Sequence, residues 1–237
     1  MRTLQNLNFP KAMAELLPKL FGQALEIVLI VSVVAFVLAI LFGFLFALGR
    51  LSHHKILNGI LVVFQEFIRG TPLLVQLVYI YYVFPLFVEI IAYWCGNPTF
   101  KCTLSATVAG VIGLTINYGT YISEVIRSAI LAIDKGQTEA ALALGFSKRQ
   151  AMFRIVIPQA FRNSIPVFGN YLLTLVKDTS LMAYITAPEL LQTTKAYISQ
   201  TFTTIESYSI LAVVYLVICL ILSGLLKVAE RKLVRRR

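Results

Sequence analysis

Charge is scarce in this chain, and negative charge most of all. The 237 residues include 11 Asp or Glu and 21 Lys or Arg, and charged side chains make up 14% of the total. Soluble globular proteins carry roughly 25%, so a water-covered globule is excluded. Residues 27–49, 70–88, 102–123 and 207–226 contain no Asp, Glu, Lys or Arg at all. A G-x-x-x-x-G-K-[ST] phosphate loop is also missing, which excludes nucleotide binding by that route. No internal repeat and no low-complexity stretch interrupts the chain.

What fills the space is apolar. Hydrophobic residues make up 58% and mean hydropathy is +0.81. The uncharged runs approach or exceed the roughly 17–25 residues that cross a bilayer. A fifth apolar run, about residues 163–185, carries Lys177 and Asp178. Five transmembrane spans follow, four clear and one weaker. The first run is far too long for the apolar region of a signal peptide.

The net charge of +10 reports topology. With five alternating spans, loops 50–56 and 127–162 and the C-terminal tail share one side. That side holds Arg50, Lys55, Arg127, Lys135, Lys148, Arg149, Arg154 and Arg162 in its loops, and Lys227, Arg231, Lys232 and Arg235 to Arg237 in its tail. The other side holds Arg2, Lys11, Lys19, Lys101 and Lys195. An excess of Lys and Arg marks the cytoplasmic side, so the N-terminus is expected outside and the C-terminus inside. This accounts for the basic balance without a nucleic-acid partner. Cys219 falls in the last span, and Cys95 and Cys102 share an outside loop. That pair fits either a disulfide or two free thiols.

Periodicity sharpens the picture. Leu4, Leu7, Met13, Leu16, Leu17 and Leu20 recur at helical spacing ahead of the first span. Pro10 suits a helix start, and an interfacial helix is expected. A helix is expected over about residues 57–92, broken near Gly70 and Pro72, because Pro72 lacks a backbone donor and restricts Thr71. Such a break is either a plain kink or a hinge beside a permeation path.

The third span, about 104–127, places Asn117, Thr120, Tyr121 and Glu124 on one face, and the fourth places Asn170, Thr174, Lys177 and Asp178 on one face. Ionisable groups inside spans usually face a bundle interior. A zwitterionic amino acid needs a donor for its carboxylate, which Lys177 or helix-end amides supply. It needs an acceptor for its ammonium, which Glu124 or Asp178 supplies. The alternative is that Lys177 with Asp178, or Glu124 with Arg127, are structural ion pairs.

The segment 134–162 is the most informative. Gln137 to Leu144 reads as a short helix and Gly145 as its left-handed terminator. Ser147 and Gln150 have capping-box spacing for a second helix, which is expected to end by Pro158. DNA binding is excluded by context, since both flanks run into spans. There remain an ordinary inside loop and a docking helix, whose small Ala-rich surface around Glu139, Ala140 and Ala141 suits a groove on a soluble partner.

These residues resemble the membrane subunits of ABC importers, in particular the polar amino acid permeases. The pattern E-A-A, three residues, G, nine residues, I-x-L-P is met by Glu139-Ala140-Ala141, Gly145 and Ile155-Val156-Ile157-Pro158, with Ile157 where Leu is usual. Arg69-Gly70-Thr71-Pro72-Leu73-Leu74-Val75-Gln76, Tyr121-Ile122-Ser123-Glu124-Val125-Ile126-Arg127, Lys135-Gly136-Gln137, Pro158-Gln159-Ala160 and Lys177-Asp178-Thr179-Ser180-Leu181 are similar to motifs of the same group.

The resemblance covers about residues 20–228. It implies an all-α integral membrane protein, a type I ABC importer permease of five transmembrane helices with a cytoplasmic coupling helix. The expected organisation is an N-terminal extracytoplasmic or interfacial segment over 1–21, the transmembrane domain over 22–229 with its coupling region at 135–160, and a basic cytoplasmic tail over 230–237.

It further implies that Glu139, Ala140, Ala141, Leu144, Gly145, Phe146 and Ser147 contact a separate ATPase, and that Asn117, Tyr121, Glu124, Asn170, Lys177 and Asp178 are candidates for the substrate path. Catalytic and metal-binding residues are not expected, and ATP and Mg belong to the partner. The implied partners are ABC ATPase subunits, a second permease copy (identical or similar), an extracytoplasmic substrate-binding protein, the amino acid and membrane lipid. The implied place is the cytoplasmic membrane of a prokaryote. An ion-coupled secondary transporter fits poorly with an odd span count and no inverted repeat. A channel or scaffold leaves the docking segment unexplained.

Overall fold

A computed structural model describes residues 7–234, and every regular element among them is helical. Helix α1 (Phe9–Lys19) starts with Asn8 accepting from the Lys11 amide and with Pro10 in the first turn. It buries Ala12 and Leu16 while leaving its charged residues outside. A π-turn over Leu20–Ala24, non-helical at Gly22, bends the chain into α2 (Leu25–Arg50). The expected N-terminal helix is therefore present, and it packs on the last helix and α10 of the chain. Of its expected apolar set, Leu4 lies outside the described residues.

The broken element is α3 (Lys55–Arg69), α4 (Leu73–Val78), a π-turn over Tyr79–Val83 and α5 (Phe84–Trp94). The third long helix is α6 (Ala106–Leu131), opened by Ser105 accepting from the Val108 amide. Then come α7 (Lys135–Ala143), α8 (Lys148–Ala151), a π-turn over Met152–Val156 and α9 (Ile157–Asp178). A 3-10 turn over Thr179–Ile185, α10 (Leu190–Thr201) and α11 (Thr204–Val234) complete the described chain. The basic tail expected over 230–237 thus begins inside α11, and Arg235 to Arg237 lie outside the described residues.

Two expectations shift. The helix after Ser147 does not end by Pro158. The ladder carries an extra residue at Met152–Val156, and Pro158 falls in the first turn of the continuing helix α9, where a missing amide costs nothing. The helix of the fourth span begins at Ile157, ahead of the apolar run over about 163–185, and the last residues of that run form the 3-10 turn.

Among the described residues, three helical stretches are long and apolar enough to cross a membrane by length and composition: Phe9–Arg50, Leu73–Trp94 and Thr204–Lys232. Helices α6 and α9 fall outside this set because they carry polar residues, some of them in the interior. Ser123, Thr120 and Asn117 on α6 and Ser164 on α9 are all buried. The closest packing of the fold joins α2 to α6. A Cβ on Gly43 would stand 2.8 Å from the Gly119 carbonyl oxygen and 3.0 Å from the Ser123 amide. Small residues permit this approach of two backbones in lipid, where packing replaces the hydrophobic drive. Around that seam Ile122, Leu114, Leu77 and Leu175 are fully buried.

Glu189 caps α10 from a buried position. Its carboxylate accepts from the Leu191 amide at 2.8 Å, the Gln192 amide at 2.7 Å and the Tyr215 hydroxyl at 3.2 Å. Burial raises its pKa from 4.5 to about 7, against those donors and the charge of Lys195. Between these values the folded chain holds a proton that the unfolded chain has released. The stabilising contribution is therefore complete below 4.5 and is lost as pH rises through about 7. Glu189→Gln keeps an oxygen acceptor and removes the titration. Its melting temperature is expected to vary less than the wild type's between about pH 5 and about pH 8, as read by thermal unfolding in detergent.

Cys95, Cys102 and Cys219 are all free thiols in this structure, so Cys95 and Cys102 follow the unbridged alternative.

Candidate functional site: a central polar cavity and an exposed helical loop

The break in the second element is built by chemistry, not left slack. Gly70 follows the last turn of α3 and Pro72 stands extended before α4, so the carbonyls ending α3 lose their helical donors. Gln76 replaces those donors. Its Nε2 donates to the Ile68 carbonyl at 2.6 Å, the Thr71 carbonyl at 3.1 Å and the Thr71 hydroxyl oxygen at 2.9 Å. The Thr71 hydroxyl donates in turn to the Phe67 carbonyl at 3.0 Å. The Gln76 Oε1 accepts from the Asn117 Nδ2 at 3.0 Å, which fastens the break to α6. Gln76→Leu removes every bond that the Gln76 amide makes and leaves Thr71 its bond to Phe67. Each polar group left buried costs roughly 1–3 kcal/mol, so a lower melting temperature and weaker transport are expected together.

A cavity of about 530 Å³ opens at this break. Arg69, Gly70, Thr71 and Pro72 form one wall, Asn117, Tyr118 and Tyr121 of α6 the second, and Tyr171, Thr174 and Asp178 of α9 the third. The Tyr118 hydroxyl donates to Asp178 Oδ2 at 2.7 Å. The Arg69 guanidinium lies 5.2 Å from the Tyr121 ring centre, within cation–π range. Tyr171 meets Tyr118 edge to face and lies tilted against Tyr121, each at 6.2 Å.

Not all the candidates meet here. Asn117, Tyr121, Asp178, Gly70 and Pro72 line the cavity. Glu124 lies elsewhere, held by Arg127 through Nε at 3.1 Å and through Nη2. Asn170 and Lys177 are exposed. Lys177 forms no ion pair with Asp178 among the described residues, since successive helical side chains diverge by about 100°. Arg69, Gln76, Tyr118 and Tyr171 are site residues that the face analysis missed. Tyr118 and Tyr171 each stand one residue after a candidate. Arg69 and Gln76 flank the break and were legible as the two ends of the motif Arg69 to Gln76, without a place on a helical face.

The second feature is the loop between α6 and α9. Asp134 caps α7 by accepting from the Gly136 amide at 2.6 Å. At the other end Gly145 has φ +87°. The Gly145 amide donates to Leu142 and the Phe146 amide to Ala141, each at 3.0 Å, the paired bonds of a glycine-terminated helix. Ser147 and Gln150 then form the expected capping box. Ala141 is buried and Phe146 half-buried, whereas Glu139, Ala140, Gly145 and Ser147 are exposed. Leu144 is 78% exposed.

A family model described as "Binding-protein-dependent transport system inner membrane component" matches residues 39–235. The L-cystine transport system permease protein TcyB of Bacillus subtilis (strain 168) is 36% identical over 86% of this chain and 82% of its own length. The glutamine transport system permease protein GlnP of Escherichia coli (strain K12) is 34% identical over 89% of this chain and 91% of its own. Among solved structures, one described as an amino acid ABC transporter with histidines superposes with a TM-score of 0.80 at 32% identity, covering 96% of this chain and 99% of that one. The MetNI methionine ABC transporter, inward facing, superposes at 0.69 with 19% identity, covering 93% and 97%, and supports the fold alone.

Proposed function

Because this chain belongs to the family of binding-protein-dependent transport system inner membrane components, we propose that it is the permease of an ATP-driven importer of polar L-amino acids. Members of this family are transport components, and the hydrolysis of ATP lies in a separate subunit. Amino acid substrates are supported by the cystine and glutamine relatives and by the amino acid ABC transporter of similar fold.

In this reading α2, α3–α5, α6, α9 and α11 are five spans, with the N-terminus outside and the C-terminus in the cytoplasm of a prokaryote. Helix α7 is the coupling helix. Its exposed Glu139, Ala140 and Leu144 seat in a groove of the ATPase. The Gly145 turn and the Ser147 cap fix the angle at which that contact pushes on α9. A second permease copy, identical or similar, completes the path, and an extracytoplasmic binding protein delivers the amino acid. The cavity at the Gly70–Pro72 break holds the substrate in passage, and the break is the hinge of its wall.

The observation that carries the reading is the exposed, doubly capped α7–α8 turn joined directly to α9, which itself lines the cavity. Affinity purification of the tagged permease tests it. Recovery of a nucleotide-binding subunit, lost on replacing Glu139 and Leu144 together with oppositely charged and polar residues, is expected. Recovery undiminished by that change would remove the role given to α7.

A further inference from the structure

Resting on the reading of the cavity as the substrate path, we infer that the cavity selects amino acids whose side chain is uncharged. Arg69 and Asp178 are the charged side chains among the described residues that line it. One guanidinium and one carboxylate match one α-carboxylate and one α-ammonium, and this chain's wall holds no partner for a third charge. Glu124 and Lys177, on the same helices, do not line the cavity, and Glu124 is held by Arg127.

The rest of the lining is neutral. The hydroxyls of Tyr121 and Tyr171 make no hydrogen bond to the described residues. Asn117 gives one N–H to Gln76 and retains amide capacity for a ligand. These groups suit an amide, a hydroxyl or a sulfur side chain. A cationic side chain would bring a second positive charge beside Arg69 without a counter-carboxylate. An anionic one would add a second negative charge beside Asp178. A like charge placed beside Arg69 or Asp178 without a counter-charge is disfavoured by Coulomb repulsion.

Equilibrium binding to the assembled permease–ATPase complex, without binding protein, tests this with radiolabelled L-glutamine, L-arginine and L-glutamate. Glutamine is expected to bind tighter than either charged amino acid by about tenfold or more, equivalent to the discrimination of about 1.4 kcal/mol. Asp178→Asn, which is isosteric, and Arg69→Gln, which removes the charge and shortens the side chain, are each expected to weaken glutamine binding by about tenfold. Arg69→Gln is also expected to narrow the preference for glutamine over arginine.

Recovery of the ATPase with each variant confirms assembly. Arginine or glutamate bound as tightly as glutamine by the wild type overturns the inference, as does an unchanged preference in Arg69→Gln. A wild-type complex that performs no ATP-dependent uptake of any amino acid overturns the transport reading instead.

Discussion

A permease carrying Gly145→Asp is expected to fold, to assemble less tightly with its ATPase and to import amino acid at about a tenth of the wild-type rate or less. Two magnitudes separate the effects. Gly145 has φ +87° and a Cβ there meets nothing within 4 Å. The cost within the chain is therefore the left-handed backbone alone, about 1–2 kcal/mol, and Asp tolerates that region better than most residues. On the proposed docking loop the same change adds a second carboxylate to the exposed one of Glu139. Like charges facing an interface matched to one cost several kcal/mol, and each 1.4 kcal/mol is about tenfold. Melting temperature should thus move little while coupled uptake collapses. A variant with wild-type uptake would show that the turn does not transmit force.

Gly43→Val is expected to have the opposite signature, loss of the folded protein itself. Its Cβ would meet the Gly119 carbonyl at 2.8 Å, Ile122 Cγ2 at 2.9 Å and the Ser123 amide at 3.0 Å. Two of these obstacles are backbone in the middle of α6 and cannot swing aside. Overpacking of a core usually costs about 1–3 kcal/mol, and rigid obstacles place this case at or above the upper end. The yield of monodisperse protein and its melting temperature should both fall. Gly224→Val on α11 is the control, because its Cβ meets nothing within 4 Å. Equal behaviour of the two variants would contradict the close α2–α6 seam.

The sequence carried these features unevenly. The Gly145 terminator and the Ser147 cap were legible because each depends on local chemistry within a few residues, and both formed as expected. The break before Pro72 was legible for the same reason. Its clamp was not, since the bond from Asn117 to Gln76 joins residues 41 apart in sequence. Helical faces located α6 and α9 as walls of the cavity but fixed their rotation only to about one residue. Tyr118 and Tyr171 therefore escaped, and Lys177 and Asn170 were included though they are exposed. Pro158 misled in the other direction. A proline ends a helix only where its amide is needed, and the π-turn ahead of it removes that need.

The account stands on work delivered through α7 from a nucleotide-hydrolysing partner to the cavity. Amino acid uptake into proteoliposomes measures this directly, with the binding protein supplied on the substrate side and ATP on the other. Uptake by permease and ATPase together that stops when ATP is withheld, and is absent from permease alone under an imposed proton or sodium gradient, is the predicted result. Uptake by the permease alone, driven by such a gradient, would contradict it.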